Sequence, residues 1–258
     1  MPARIQLRRI GLARALSKMG YCSRAHACDL IRQGRVSLNG TIRRDTEFPV
    51  RLASHETKDD RIEVDNEPIS AATKVYLLLN KPRGVVTTAS DEKGRQTVYD
   101  LLEESMPWVG PVGRLDKASE GLLLLTNDSE WAAQVIDPAT HVEKTYHVQI
   151  RGLPGPDLMP QMMRGAKDAG DEALRVKRAS VLRQGKRNAW LEIVLDEGKN
   201  RQIRRLLQLF QIEVLRLVRV AIGPLVLGDL PKGAVRPLTP IEKSKMDAAI
   251  RKNSSGKN

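Results

Sequence analysis

The segment GRLDKASEGLLLLTND, residues 113–128, places one carboxylate, Asp116, between two cations, Arg114 and Lys117, in a turn that leads into a run of leucines. A carboxylate flanked by cations stays ionised at neutral pH, and a turn before a buried strand exposes it at a sheet edge. Such a group suits an anionic nucleophile or base acting on a substrate whose phosphates the cations hold. The same residues also describe an Arg–Asp pair that only stabilises a turn. A second stretch, DEGKNRQIRRLLQLF (196–210), sets Ile203, Leu206, Leu207 and Phe210 on one helical face and turns Arg201, Arg205 and Gln208 away from it. Arg204 lies at the border, about 100° from Ile203 on an ideal helix. A border arginine can be half buried and pair with a carboxylate in a cleft. Gly198, beside Lys199 and Arg201, lets a phosphate approach the helix N-terminus; a solvated basic face is the alternative. In EKTYHVQI (143–150), strand alternation puts Tyr146 and Val148 on one face and Thr145 and His147 on the other. A tyrosine there either stacks on an extruded base or fills the core.

These groups need a scaffold and a partner, and composition constrains both. The chain has 258 residues with 43 Lys and Arg against 31 Asp and Glu, a formal charge of +12 that points to a polyanion, nucleic acid first. Aromatics are only 3%, which argues against a face built on many stacked bases. The two cysteines, Cys22 and Cys28, form no CxxC pair, and the histidines show no metal-ligand spacing, so no metal site is expected. A reduced, cytoplasmic protein follows. No apolar run approaches the roughly 18 residues of a membrane span. The first 28 residues lack acids and carry several arginines; a folded basic helix accounts for them better than a transit peptide.

Charge divides the chain. Residues 1–44 carry a balance of +9 and residues 45–72 one of −5. Within that stretch Leu12, Leu16 and Met19 repeat at helical spacing, Gly20 stops the run, and Ser23 can cap a second helix with Ala27, Leu30 and Ile31 inward. Arg24, Arg32 and Arg35 then lie off the core. Asn39-Gly40 reads as a hairpin turn and DRIEVDNEPI contains a closing strand. The expected organisation is a small basic α+β domain over 1–70, a larger domain over 71–247 and a disordered tail over 248–258. In the larger domain strands are expected at 75–80, 122–126, 144–151, 189–196 and 214–220. Helices are expected at 97–103, 128–136, 157–163 and 200–210, and a basic hairpin or loop at 174–187.

Taken together, LLLNKPRGVVTT with GRQTVYDLL, then VGRLDKASEGLLLLTND, EKTYHV and EGKNRQIRRL, resemble in content and order the RsuA-type family of ribosomal RNA pseudouridine synthases, from about Tyr76 to Pro237. Residues 5–67 resemble the RNA-binding domain of the ribosomal protein S-four type through SRAHACDLIRQGRVSLNG, with Ala25 where the pattern has a second arginine. Ser129 also departs from the glycine that usually follows TND. The resemblance implies an α+β fold: a mixed, largely antiparallel sheet with flanking helices and a central cleft. It implies that Asp116 is the essential aspartate, that Tyr146 lies against the target base, and that Arg204 pairs with the aspartate. Arg114 would hold the RNA backbone or the extruded nucleotide. Lys117, Lys199, Arg201, Arg24, Arg32 and Arg35 are the further expected RNA contacts. The implied reaction is isomerisation of a specific uridine to pseudouridine, in large-subunit RNA by preference and in small-subunit RNA as the alternative. No cofactor is implied, and the partner is ribosomal RNA or an assembly intermediate bound by a monomer. A non-catalytic RNA-binding or ribosome-assembly protein would use the same basic surfaces but has no need of Asp116, Tyr146 and Arg204 together. A retaining glycosidase would need a second carboxylate, for which Glu120 is the one neighbour in sequence.

Overall fold

The computed structural model describes residues 9–52, 60–89 and 91–255. The chain divides into two compact units: Met1–Val75 with Glu104–Gly110 and Thr126–Ser129, and the remainder. The boundary thus falls at Val75 rather than at residue 70, and two short later segments belong to the first unit.

In the first unit, helix α1 (Leu12–Lys18) buries Leu12, Ala13, Ala15 and Leu16, and helix α2 (Arg24–Arg32) buries Ala27, Leu30 and Ile31. Ser23 starts α2, its Oγ accepting from the His26 backbone N–H at 3.1 Å and so satisfying an otherwise free donor of the first turn. Gly20 and Gly34 follow the two helices at φ of 75° and 76°, a left-handed conformation that ends a helix at least cost with glycine. Asn39 and Gly40 both take positive φ and join β1 (Val36–Leu38) to β2 (Thr41–Ile42). Strand β3 (Ile62–Val64) pairs antiparallel with β1, and β4 (Glu67–Pro68) with β3. Val36, Leu38, Ile62 and Val64 close a core against the apolar faces of α1 and α2.

The second unit is built on β5 (Tyr76–Lys81), β6 (Glu120–Thr126), β7 (Lys144–Arg151), β8 (Arg178–Gln184), β9 (Asn188–Leu195), β10 (Val214–Ile222) and β11 (Val235–Pro237). They form the path β8-β9-β7-β10-β6-β5-β11 of a nine-stranded sheet, with two short strands alongside. Helices α4 (Leu158–Arg164) and α5 (Gln202–Leu209) cover the apolar face made by Val148, Ile150, Leu191 and Ile193. Helices α3 (Ser129–Ile136) and α6 (Pro240–Ser255) pack Trp131, Val135, Met246 and Ile250 around Leu78, Leu122 and Leu124. This is the mixed α+β architecture expected. The segment 174–187 becomes edge strand β8 and a turn at Gly185, a hairpin with β9. At 97–103 only a single 3-10 turn forms, Tyr99–Leu101, because the Thr97 N–H is taken by the Asp100 carboxylate at 2.7 Å and Leu102 returns to extended backbone. The expected loose tail is corrected over most of its length: α6 continues to Ser255, anchored by buried Met246 and Ile250. Residues 256–258 lie outside the described residues. Among the described residues no helix is long and apolar enough to cross a membrane.

The neighbours β10 and β6 run parallel, through Val218–Glu120 and Arg219–Gly121, while the pairs β7–β9, β7–β10, β8–β9 and β5–β11 are antiparallel. Parallel neighbours cannot be joined by a tight turn, so the chain makes a long excursion through α3, the β7–β9 layer and α5 before returning beside β6. The junction is tight. Gly121 has φ +101°, and a Cβ there would lie 2.3 Å from the Arg219 carbonyl oxygen. Gly121→Ala is therefore expected to lower stability by at least ~2 kcal/mol, read as the urea midpoint at unchanged slope. An unaltered midpoint would mean that the two strands can spread.

Candidate active site

Strand β5 ends on Lys81 because Pro82 lacks an N–H to continue the ladder. Lys81 is fully buried, and its three ammonium hydrogens go to three carbonyl oxygens: Pro82 at 3.0 Å, Asp116 at 3.2 Å and Ser119 at 2.9 Å. A charge out of water is tolerable only when its donors are satisfied in this way. Burial pushes the Lys81 amine down to about 8; the Asp116 and Glu120 carboxylates oppose that fall and Arg219 adds to it.

The other carbonyls of the same loop are held as well. Thr87 Oγ1 donates to Leu115 O at 2.8 Å, and the Gly84 N–H donates to Lys117 O at 2.8 Å. Arg204 Nη2 donates to Ala118 O at 3.0 Å, and the Ser119 N–H closes a turn on Asp116 O at 2.9 Å. Five consecutive carbonyls, 115–119, are thus fixed from β5, from the loop after it and from α5. The Asp116 carboxylate is left projecting outward, about one-third exposed (34%).

Its ion-pair partner differs from the expectation. Arg201, not Arg204, stands beside Asp116, with Nη1 at 3.5 Å from Oδ2. Arg201 takes a left-handed φ of 48° at the cap of α5, which takes it out of the helical face pattern that puts Arg204 at the border. Arg204 is half buried and reaches the loop through the Ala118 carbonyl, with a longer contact to Val214 O at 3.4 Å. Burial and the neighbouring Arg201 lower its pKa, and Asp116 counteracts them. Arg205 belongs elsewhere: it pairs with Asp168 and with Glu172.

Asp116, Arg114, Tyr146, Lys199 and Arg201 meet around one cavity of about 200 Å³, whose apolar wall includes Leu195 and Leu217. Tyr146 also packs against the core under α4 and α5, so the ring that lines the cavity is anchored from behind. Lys199 is partly committed, its Nζ donating to Ala173 O at 2.6 Å and lying 3.3 Å from Glu197. Lys117 lines an adjoining groove of about 550 Å³ together with Arg114, Thr87 and Lys93. In the first unit Arg24 and Arg32 are exposed, Arg32 lying 3.7 Å from Asp29. Arg35 is engaged by Asp65 through Nε at 2.8 Å and Nη2 at 2.5 Å. Glu120, the alternative second carboxylate, is buried and held by Arg216 at 2.9 Å and Lys232 at 3.0 Å, with no role as a free acid.

Four residues escaped the sequence reading. Lys81 is one; its signal was a lone cation closing an apolar strand just before proline. Gln202 is buried and clamps the 196–201 loop, its Nε2 donating to Arg175 O at 2.7 Å and to Glu197 Oε1 at 2.6 Å. Lys144 and Arg219 line the cavity beside Tyr146. Burial, with Arg219 nearby, pushes the Lys144 amine down to about 8.

Residues 75–209 match the RNA pseudouridylate synthase family, and residues 10–55 match the S4 domain. The chain belongs to the RNA pseudouridylate synthase family. This synthase is 35% identical over 238 residues to the ribosomal large subunit pseudouridine synthase B of Bacillus subtilis, covering 92% of this chain and 95% of that protein. It is 38% identical over 224 residues to an uncharacterized RNA pseudouridine synthase of Rickettsia prowazekii, covering 86% and 91%. A crystal structure of a pseudouridylate synthase matches the synthase with a TM-score of 0.63 at 28% identity, over 92% of this chain and 99% of that one. The resemblance read from the motifs, in both the RsuA-type catalytic part and the S4-type N-terminus, is thereby borne out.

Lys81 titrates in an accessible window. Its lowered pKa means that the folded synthase sheds this proton before the unfolded chain does, so its burial cost at neutral pH is relieved as pH rises through about 8 toward the ordinary lysine value. Over the same interval the loop loses one of its three anchoring hydrogens. Activity is expected to fall with a one-proton alkaline limb beginning near pH 8, and Lys81→Met to lower kcat on the order of a hundredfold at pH 7 and abolish that limb. A pH–rate profile with the same limb in the variant would remove Lys81 from the account.

Proposed function

We infer that this synthase converts a specific uridine of large-subunit ribosomal RNA to pseudouridine, acting as a monomer in the cytoplasm. The observation that carries the reading is the pinned loop that presents Asp116 to the cavity shared with Tyr146. The likeness along nearly the whole chain to a synthase named for the large ribosomal subunit supports the choice of RNA.

The reaction breaks the bond from the ribose anomeric carbon to uracil N1 and rejoins that carbon to C5 of the same ring. A proton leaves C5 and N1 gains one, so atoms and electrons balance with no redox partner. The nucleotide must leave its stack, because protein groups cannot reach ring and sugar inside a helix. Asp116 starts the reaction as nucleophile or base. Arg201 steadies its carboxylate, while Arg204 and Lys81 hold the backbone that carries it, so the carboxylate is positioned before substrate arrives. Tyr146 lies against the extruded base and helps remove the C5 proton. Arg114 and Lys117 take the backbone phosphates or the extruded nucleotide, with Lys199 at the cavity rim. Arg24 and Arg32 of the S4-type unit supply further phosphate contacts, and Arg35 less, since Asp65 already holds it.

Asp116→Asn preserves size and removes charge. It is expected to abolish tritium release from C5-labelled ribosomal RNA with affinity for RNA nearly unchanged; multiple turnovers by this variant would sink the assignment. Arg204→Leu is expected to cost about a hundredfold in kcat through the displaced loop, and Tyr146→Leu to lose turnover while keeping most binding.

The S4-type unit makes a separate prediction about salt. Each phosphate contact contributes a slope of about 0.7–0.9 to the fall of log affinity with log salt. The double substitution Arg24→Ala, Arg32→Ala is expected to flatten that slope by roughly 1.5 and leave kcat alone. Superimposable slopes would mean that this face does not meet RNA.

A further inference from the structure

Arg219 is an anomaly that the mechanism above does not use. It is 5% exposed, yet it lines the catalytic cavity. Its Nε donates to Leu122 O at 2.7 Å, which fixes the plane of the guanidinium, while Nη2 has no hydrogen-bond partner among the described residues. A buried, unpaired donor on a charged group is costly and rare. Its place in the sheet is equally specific. Arg219 stands directly across from Tyr146 on β7 and from Gly121 on β6. Directly paired residues share a face of the sheet, so Arg219 and the tyrosine that meets the base are presented to the same space.

We propose that Arg219 is a specificity-determining residue that donates a hydrogen bond to the O4 carbonyl of the target uracil. The proposal rests on the isomerase reading of the site. The base enters with its sugar toward the RNA strand, where the one-third-exposed Asp116 reaches it. The ring edge farthest from the N1–sugar bond, carrying O4, then meets the most buried donor. Cytosine carries an amino group at that position, a donor facing a donor, so the same contact rejects cytidine. The contact also suits the chemistry. When the C1′–N1 bond breaks with its electron pair on the ring, negative charge spreads from N1 onto O2 and O4, and a guanidinium beside O4 stabilises it. To present C5 to the sugar, the ring then turns about the line through N3 and C6. That turn exchanges N1 with C5 and O4 with O2, so one fixed donor meets a carbonyl before and after it. Lys144, lining the same cavity, adds a second positive charge beside the departing ring.

The test compares large-subunit RNA transcripts made with uridine or with 4-thiouridine, each tritiated at C5, using the full-length protein. Sulfur is the poorer acceptor, and wild type is expected to release tritium from the thio transcript slower by roughly tenfold or more. Arg219→Met is expected to slow the uridine transcript by a similar factor and to show no further penalty for 4-thiouridine. Arg219→Lys, which keeps charge but cannot both hold Leu122 O and reach the ring, is expected to shrink the penalty as well and is read if the methionine variant does not fold. Equal wild-type rates on the two transcripts, or a penalty undiminished in the variants, overturns the proposal while leaving the isomerase reading standing. A wild type that releases no tritium from the uridine transcript overturns both.

Discussion

The candidate active site depends on where five carbonyl groups go. A loop that leaves a strand must find partners for its polar backbone, and residues 115–119 find them in a threonine, a lysine, a glycine N–H and an arginine, with one bond inside the turn. These donors come from separate parts of the second unit, so the position of Asp116 is set by the assembled fold and not by its own turn. Lys81 matters most among them because it is fully buried and spans the loop, binding the carbonyls of residues 116 and 119 at once. A side chain at the end of β5 thereby ties the loop to the strand beside which β6 begins. The parallel β10–β6 junction does the rest, bringing β10 and, one strand further, Tyr146 to the same cavity.

The electrostatics follow from that arrangement. Asp116 is joined at the cavity by Arg114, Lys144, Lys199, Arg201 and Arg219. Burial is what pushes the Lys81 and Lys144 amines down to about 8, and the Arg219 charge adds to it in both cases. Such an excess of cations suits an enzyme whose RNA substrate brings phosphates. The formal charge of +12 is the coarse form of the same fact. In the first unit, Arg35 shows the contrary case, a cation already neutralised by Asp65 and so left with less to offer RNA.

Much of this was legible in the residues, and the remainder fails for physical reasons. Helical period located α5, whose apolar side is sharply defined, and continuous leucine runs located the central strands β5 and β6, which are buried on both faces. Asp116 and Tyr146 stand out through the family resemblance, since turn and strand pattern alone fit a turn-stabilising pair and a core tyrosine equally, and the fold brings both to one cavity. The Asp116–Arg201 contact was not found, because it depends on one left-handed residue that a helical wheel cannot represent. Lys81, Gln202 and Arg219 were missed for a common reason: each acts through backbone oxygens far away in sequence, and no local pattern records a partner some 30 to 100 residues distant. Helix α6 reads as a loose tail in the sequence because Met246 and Ile250 are too sparse to declare an apolar face until the sheet they cover is in place.

The most direct test of the account is a map of pseudouridine in both ribosomal RNAs from cells with and without this gene, and from the deleted cells after the gene is restored. The account predicts that one uridine of the large-subunit RNA loses its modification on deletion and regains it on restoration, with the small-subunit map unaltered. Identical maps in all three strains would contradict it.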